Sequence, residues 1–199
     1  IRKFKKKQVP AHLIRRILEV GRFAPSQGNC QPWKFVVVRD REMITEMENF
    51  CADMCRKING PLDYTAHKKG TFARWRSESI LKLFAKWQPS TVHPIPFGAV
   101  NLIAKNRFKV FHHPPTVIIP LMDTRGIGHP EVDLGIVGTN IVMAAHSLGL
   151  GTCWVGLASF LNNSPEWRER LGVEEPYSLV EAISVVYVLG KPMQNTVSR

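Results

Sequence analysis

Three stretches crowd hydrogen-bonding groups at the ends of apolar runs: APSQGNCQP at 24–32, GLGTCWVG at 149–156 and GKPMQNTVSR at 190–199. Hydroxyls, carboxamides and the open N–H groups of glycine turns can bind the polar edge of a flat ring, and arginines can grip a phosphate. Basic residues stand at both ends, RKFKKK after Ile1 and Arg199 at the close. Together these would suit a phosphorylated aromatic cofactor, which needs a cationic pocket, a flat apolar slot and a few fixed hydrogen bonds. The plainer reading of 24–32 is a helix stop and turn in which Ser26 and Asn29 satisfy their own backbone. Both readings stand at this point.

Other chemistries find less support. G-x-S-x-G, the P-loop, HxxxH and HExxH are absent, and the glycines of GIVGTN and GLGTCWVG do not sit as a dinucleotide fingerprint. His112 and His113, adjacent on what reads as a strand, would diverge and make a weak metal pair. His146 reads as a core histidine, and Glu131 and Asp133 form no evident acid–base pair. No metal site is expected.

The elements that must position these stretches follow from periodicity. VPAHLIRRILEVGRFA repeats apolar residues at helical spacing, with Pro10 suited to the first turn. WKFVVV reads as a strand. REMITEMENFCADMCRKI returns to helix, with Met43, Met47, Phe50 and Met54 as a core stripe. PTVIIPLMD reads as a buried strand. EVDLGIVGTNIVMAAHSLGL reads as a long helix with Val132, Ile136, Thr139, Val142 or Met143 and His146 along one side. In it Gly135 and Gly138 allow close backbone approach, and Gly149 and Gly151 end it. GTCWVGL is a short strand or loop. Ser164 caps a helix that starts at Pro165, and LVEAISVVYVLGKP is the last strand. Strands and helices alternate without a clean βαβ rhythm, which indicates an α+β fold.

A chain of 199 residues is expected to form a single domain over 1–199. The formal net charge of +11 is uneven: between residues 66 and 122 the only acid is Glu78. Such a field attracts phosphates, carboxylates, nucleic acid or an acidic protein. Around 59–113 the aromatic residues Trp75, Phe84, Trp87, Phe97, Phe108 and Phe111 lie among lysines and arginines, without an RNP-like or KH-like motif. An inserted lid or dimer-contact segment fits that stretch better than nucleic-acid binding. Cys30, Cys51, Cys55 and Cys153 show no CxxC spacing, so reduced thiols in a reducing compartment, the cytoplasm, are expected. No apolar run reaches the roughly 20 residues of a membrane span. The basic start lacks an apolar segment behind it, so no signal peptide is expected. The chain is expected to continue before Ile1 in the natural protein.

The blocks IRKF, LIRRILEVGRFAPSQGNCQPWKFVVV, DLGIVGTNIVMAAHSLGLGTCWVG and VVYVLGKP, in this order, resemble the FMN-dependent nitroreductase family. The second block is the most specific, and no motif covers 59–113. The resemblance implies a nitroreductase-like fold: a central, mostly antiparallel sheet flanked by helices in an intertwined homodimer, with non-covalent FMN at the interface. It implies hydride transfer from NADH or NADPH through the flavin to an electron-poor acceptor such as a nitroaromatic or quinone. No catalytic side chain is required for that chemistry. By the same resemblance Arg2 would lie near the ribityl chain and ring edge, and an Arg and a Ser would precede Ile1. Pro25, Ser26, Gln27 and Asn29 would reach the partner subunit's flavin. Backbone N–H groups of Cys153, Trp154, Val155 and Gly156 would face the flavin N5 edge. Arg199 would bind phosphate, and Asn106 and Lys109 resemble a ring-edge pair in some members. Kindred chemistries (reductive dehalogenation, ene reduction, flavin fragmentation) stay open, as does a basic nucleic-acid-binding module. The basic segment would dock an acidic electron-donor protein or select acidic substrates.

Overall fold

The computed structural model describes residues 4–63, 66–87 and 94–190. The chain divides into two compact units, one of Ile1–Met47 with Phe111–Arg199, the other of Glu48–Val110. In chain order the elements are β1 (Phe4–Lys5), α1 (Ala11–Arg22), β2 (Trp33–Val38), α2 (Arg41–Leu62), α3 (Phe72–Trp87), α4 (Pro94–Ala104) and β3 (Thr116–Asp123). They continue with α5 (Pro130–Ser147), β4 (Leu150–Val155), α6 (Pro165–Arg170), β5 (Tyr177–Leu179) and β6 (Ala182–Val188). The two-residue β1 has no counterpart in the sequence reading.

All described strand pairings in the first unit are antiparallel. β6 carries β4 along one edge, and β3 and β1 share the other. β3 carries β2 along its length, while its opposite edge is divided between β6 and β5. Central placement explains the composition of β3, whose residues are buried from Thr116 to Met122. Gly151 belongs to β4, so the turn after α5 rests on Gly149 alone, at φ 73°.

The division on β3 has a local cause. Ile118 faces Ile183 on β6 and Leu121 faces Leu179 on β5. Two residues of β3, Ile119 and Pro120, therefore stand opposite three, Val180, Glu181 and Ala182. Pro120 has no N–H to give the ladder. The extra residue opposite it forms a bulge, a device that bends a strand and re-aims a side chain.

α1 and α5 cover one face of this sheet. Ile14 and Ile17 of α1 and Val137 and Ile141 of α5 share a buried cluster with Ile118, Leu150, Ile183 and Val185. Full burial of such a side chain contributes about 1.5–3 kcal/mol. At Gly21 an added Cβ would come 2.8 Å from Ile141 Cγ1, so the two helices touch through a bare backbone. The α5 side bearing Val132, Thr139, Met143 and His146 points outward. His146 is therefore exposed rather than a core histidine.

In the second unit the buried stripe of α2 contains Glu48, Cys51 and Cys55, with Phe50 and Met54 half-buried beside it. In the α2 turn that belongs to the first unit, Met47 is fully buried and Met43 half-buried. The Glu48 carboxylate accepts the Val110 N–H at 2.9 Å, which compensates its burial. Lys105 pairs with the buried Asp63 at 3.0 Å, and Asn101 Nδ2 donates to Asn59 Oδ1 at 3.2 Å. Helices α3 and α4 occupy much of the stretch read as irregular.

Candidate functional site

Residues 24–32 are held by contacts both local and distant. The Asn29 N–H donates to the Ser26 carbonyl at 3.0 Å, closing a 3₁₀ turn over Gln27–Asn29. Gly28, Asn29 and Gln31 take left-handed backbone at φ 60°, 54° and 48°. Glycine and asparagine tolerate this region best. Ser26 Oγ accepts the Gln31 N–H at 2.9 Å, and Asn29 Oδ1 accepts Gln31 Nε2 at 3.2 Å. The plain turn reading thus accounts for the oxygens of Ser26 and Asn29. The hydroxyl hydrogen of Ser26 and the carboxamide N–H groups of Asn29 remain for a ligand.

The distant contacts fix where the loop stands. The Gln27 N–H donates to both carboxylate oxygens of Asp133, at 3.2 and 3.3 Å, in the first turns of α5. Its carboxamide lies over Gly128, where a Cβ would fall 1.7 Å from Gln27 Oε1. The Asp123 N–H donates to the Pro32 carbonyl at 2.9 Å, tying the loop's far end to β3. Pro25, Gln27 and Asn29 are exposed and Ser26 is half-buried.

The second stretch meets the same helix. Trp154, 40% exposed, lays its indole over Gly138 of α5, where a Cβ would come 2.0 Å from Trp154 Cη2. Gly135 has nothing within 4 Å, so only one of the two glycines serves a close approach in the chain. Val155 is buried, Cys153 is half-buried with its thiol 3.6 Å from the Trp154 carbonyl, and Gly156 is exposed. Gly156 opens a 3₁₀ stretch, Gly156–Asn163. The first N–H groups of such a stretch lack partners within it and are available to an acceptor. Arg168 steadies this corner: it donates to Asn162 Oδ1 at 2.8 Å and to the Tyr177 carbonyl at 3.2 Å.

The structure therefore brings 26–29 and 153–156 onto α5, one through Asp133 and the other through Gly138. Arg2 and Arg199 lie outside the described residues. Asn106 (φ 55°), whose Oδ1 accepts Arg56 Nη1 at 3.2 Å, and the exposed Lys109 belong to the second unit. His112 and His113 are not on a strand but in left-handed backbone, at φ 63° and 52°. His113 lines a concavity of about 190 Å³ with Lys6, Arg41 and Thr45, a setting suited to an anionic group. In the second unit a broad concavity of about 850 Å³ is lined by Lys69, Arg74, Trp75 and Phe72 among others. The Phe72 and Trp75 rings stack there at 5.5 Å.

Two residues escape the sequence reading. Asp133 is an acceptor for a loop 106 positions away rather than an acid or base. Glu181 is half-buried at the β5–β6 bulge, and burial pushes its carboxyl above the ordinary range. Its one sequence signal is an acid inside an apolar strand, LVEAI. An exposed glycine turn with available N–H groups and an indole beside it fit a flat ring with polar edges, and the carboxamide-bearing loop on the same helix offers further donors.

A model described as "Nitroreductase family" matches residues 1–191. A protein of Methanothermobacter thermautotrophicus, provisionally named NADH dehydrogenase/NAD(P)H nitroreductase, is 26% identical over 205 residues, covering all of this chain and 75% of the relative. A 4-nitrobenzoate reductase of Nocardioides sp. is 24% identical over 192 residues, covering 94% of this chain and 76% of the relative. Among solved structures, an FMN-dependent nitroreductase of Mycobacterium smegmatis in complex with NADPH superposes with a TM-score of 0.60 at 22% identity, over 94% of this chain and 82% of that one.

Proposed function

The chain belongs to the nitroreductase family, and from that premise we propose that it is an FMN-dependent oxidoreductase passing hydride from NAD(P)H to an electron-poor acceptor such as a nitroaromatic or quinone. The observation that carries the reading is the convergence on α5: Gln27 is tied to Asp133 and Trp154 rests on Gly138. FMN, when bound, supplies the two-electron chemistry. The N–H groups at Gly156 donate to the polar ring edge and stabilise negative charge there. Trp154 walls the slot, while Ser26 and Asn29 offer donors to the flavin of a second copy.

The second copy is part of the proposal. Val132 and Met143, 59% and 62% exposed, lie with Gly135 and Thr139 on the outward side of α5. An apolar, small-residue helix side of this kind supports an isologous dimer through α5. Arg2 would lie near the ribityl chain and ring edge, Arg199 would hold the phosphate, and the segment around 59–113 would serve as lid or dimer contact within a single domain over 1–199. The free cysteines support a reducing, cytoplasmic setting.

Titration of the purified protein with FMN, followed by NAD(P)H oxidation with a quinone and with 4-nitrobenzoate, tests the reading. Saturable binding with a visible flavin band and turnover is expected; a protein that takes up no FMN would refute it. A second reading of the reductant, an acidic electron-donor protein, is favoured by the exposed Phe72–Trp75 pair beside Lys68, Lys69 and Arg76. Reduction by such a donor should slow steeply with added salt. Rates insensitive to ionic strength would remove it.

A further inference from the structure

Glu181 owes its position to Pro120. The bulge opposite that proline turns the Glu181 side chain across to the end of β4, where Val155 faces Ala182 and Gly156 comes next. Glu181 Oε1 lies 4.0 Å from the point a Cβ on Gly156 would occupy. Gly156 leaves that space open and is itself exposed. Among the described residues no hydrogen bond or ion pair engages Glu181. An unpartnered, half-buried carboxyl thus stands at the turn whose N–H groups are assigned to the reacting edge of the flavin.

We propose that Glu181 is a catalytic acid that delivers a proton to the acceptor as it is reduced. The assignment rests on the FMN-dependent reading above. NAD(P)H is the source of the electron pair. A quinone that has received hydride carries one negative charge on oxygen. The Glu181 O–H bond breaks, its proton goes to that oxygen to give the neutral hydroquinone, and the carboxylate recovers a proton from solvent. A nitro group likewise takes one hydride and one proton and leaves as the nitroso compound and water.

The surroundings favour the acid form. Burial raises the Glu181 carboxyl, and no other cause competes with it. The 3₁₀ stretch Gly156–Asn163 contains no ionisable side chain. The ionisable groups on the other elements of this corner are Asp123 in β3, Cys153 in β4, Tyr177 in β5, Tyr187 in β6, Glu131, Asp133 and His146 in α5, and Glu166, Arg168, Glu169 and Arg170 in α6. Asp133 is engaged by the Gln27 N–H. Arg168 is engaged by Asn162, Glu175 and the Tyr177 carbonyl, and Arg170 by Glu46 and Glu166, so among the described residues no cation pairs with Glu181 to hold it ionised.

The test has two arms. In the protein without cofactor, the ¹³C carboxyl resonance lost in Glu181→Gln should titrate above the ordinary glutamate range. In FMN-loaded protein, stopped-flow oxidation by a quinone should slow in Glu181→Gln by about 100-fold relative to reduction by NAD(P)H on the same sample. The wild-type fall in oxidation rate at high pH should vanish in that variant, and Glu181→Asp should recover part of the rate. A resonance titrating at the ordinary value, or an unchanged ratio of the two half-reactions with FMN bound, overturns the assignment alone. Failure to bind FMN overturns the functional reading as well.

Discussion

The carboxylate of Asp133 accepts the backbone N–H of Gln27 with both oxygens, joining the first turns of α5 to a loop 106 residues earlier in the chain. Asp133 is 5% exposed, so the bond is sheltered from water. Asp133→Ala leaves the Gln27 N–H without its partner and should cost about 1–3 kcal/mol in urea unfolding. FMN affinity should weaken with it, read by flavin fluorescence. Asp133→Asn keeps one acceptor oxygen and should lose less of both.

Gly138 is the seat of the Trp154 indole. Gly138→Ala forces the ring off the helix, and overpacking of this kind costs about 1–3 kcal/mol. The near-ultraviolet circular dichroism of the tryptophans should change, and FMN affinity should fall. Gly135→Ala, with open space around it, should leave the tryptophan signal as it was.

Met143→Glu places a charge on the outward side of α5. A population of monomers should appear in light scattering, and FMN should be lost in proportion to it. A stable monomer that held FMN at full affinity would contradict the assignment of Ser26 and Asn29 to a second copy's flavin.

The unpartnered carboxyl of Glu181 affects stability as well as chemistry. Its folded pKa is raised, so the folded state favours the protonated form. The associated stability is fully present below the unfolded pKa and is lost as pH rises through the folded one. Glu181→Gln should therefore raise the melting temperature at pH 8 and leave it nearly unchanged at pH 3, by calorimetry.

The thiols sort by position. Burial raises Cys55 from the ordinary 9.0 to about 11, and raises Cys51 further with Cys55 and Glu48 nearby. Both should resist alkylation at pH 8 in the native protein, whereas the exposed Cys30 should react. Since these folded pKa values are raised, their contribution to stability is lost as pH climbs from about 9 through about 11. Cys51→Ser and Cys55→Ser should flatten that alkaline decline.

Local signals in the chain were sufficient where the physics is local. Ser164 and Pro165 start α6, and the Ser164 side chain accepts the Trp167 N–H at 3.4 Å. WKFVVV is β2 and TVIIPLMD is β3. The family blocks led to residues 26–29 and 153–156, which the fold brings to one helix. What the sequence hid depends on partners far along the chain. Nothing near Asp133 announces Gln27, and nothing near Glu48 announces Val110, since each bond is made only after the chain folds back. Two-residue β1 is too short for periodicity to reveal. His146 misleads for the opposite reason: it sits in an apolar helix whose outward side is itself apolar.

Val180 and Glu181 look like a connection that could vary freely in length, yet the register on either side forbids it. With Val180 deleted, the residues from Tyr177 to Ala182 would fall into step with β3. Leu179 would keep its place opposite Leu121, but Glu181 would fall opposite Pro120, on the sheet face where Ile118 and Ile183 pack under α1 and α5, an apolar setting hostile to a carboxylate. The position should reject insertions and deletions as firmly as a core strand does, and a library of length variants there would be depleted of every folded member but the parent length.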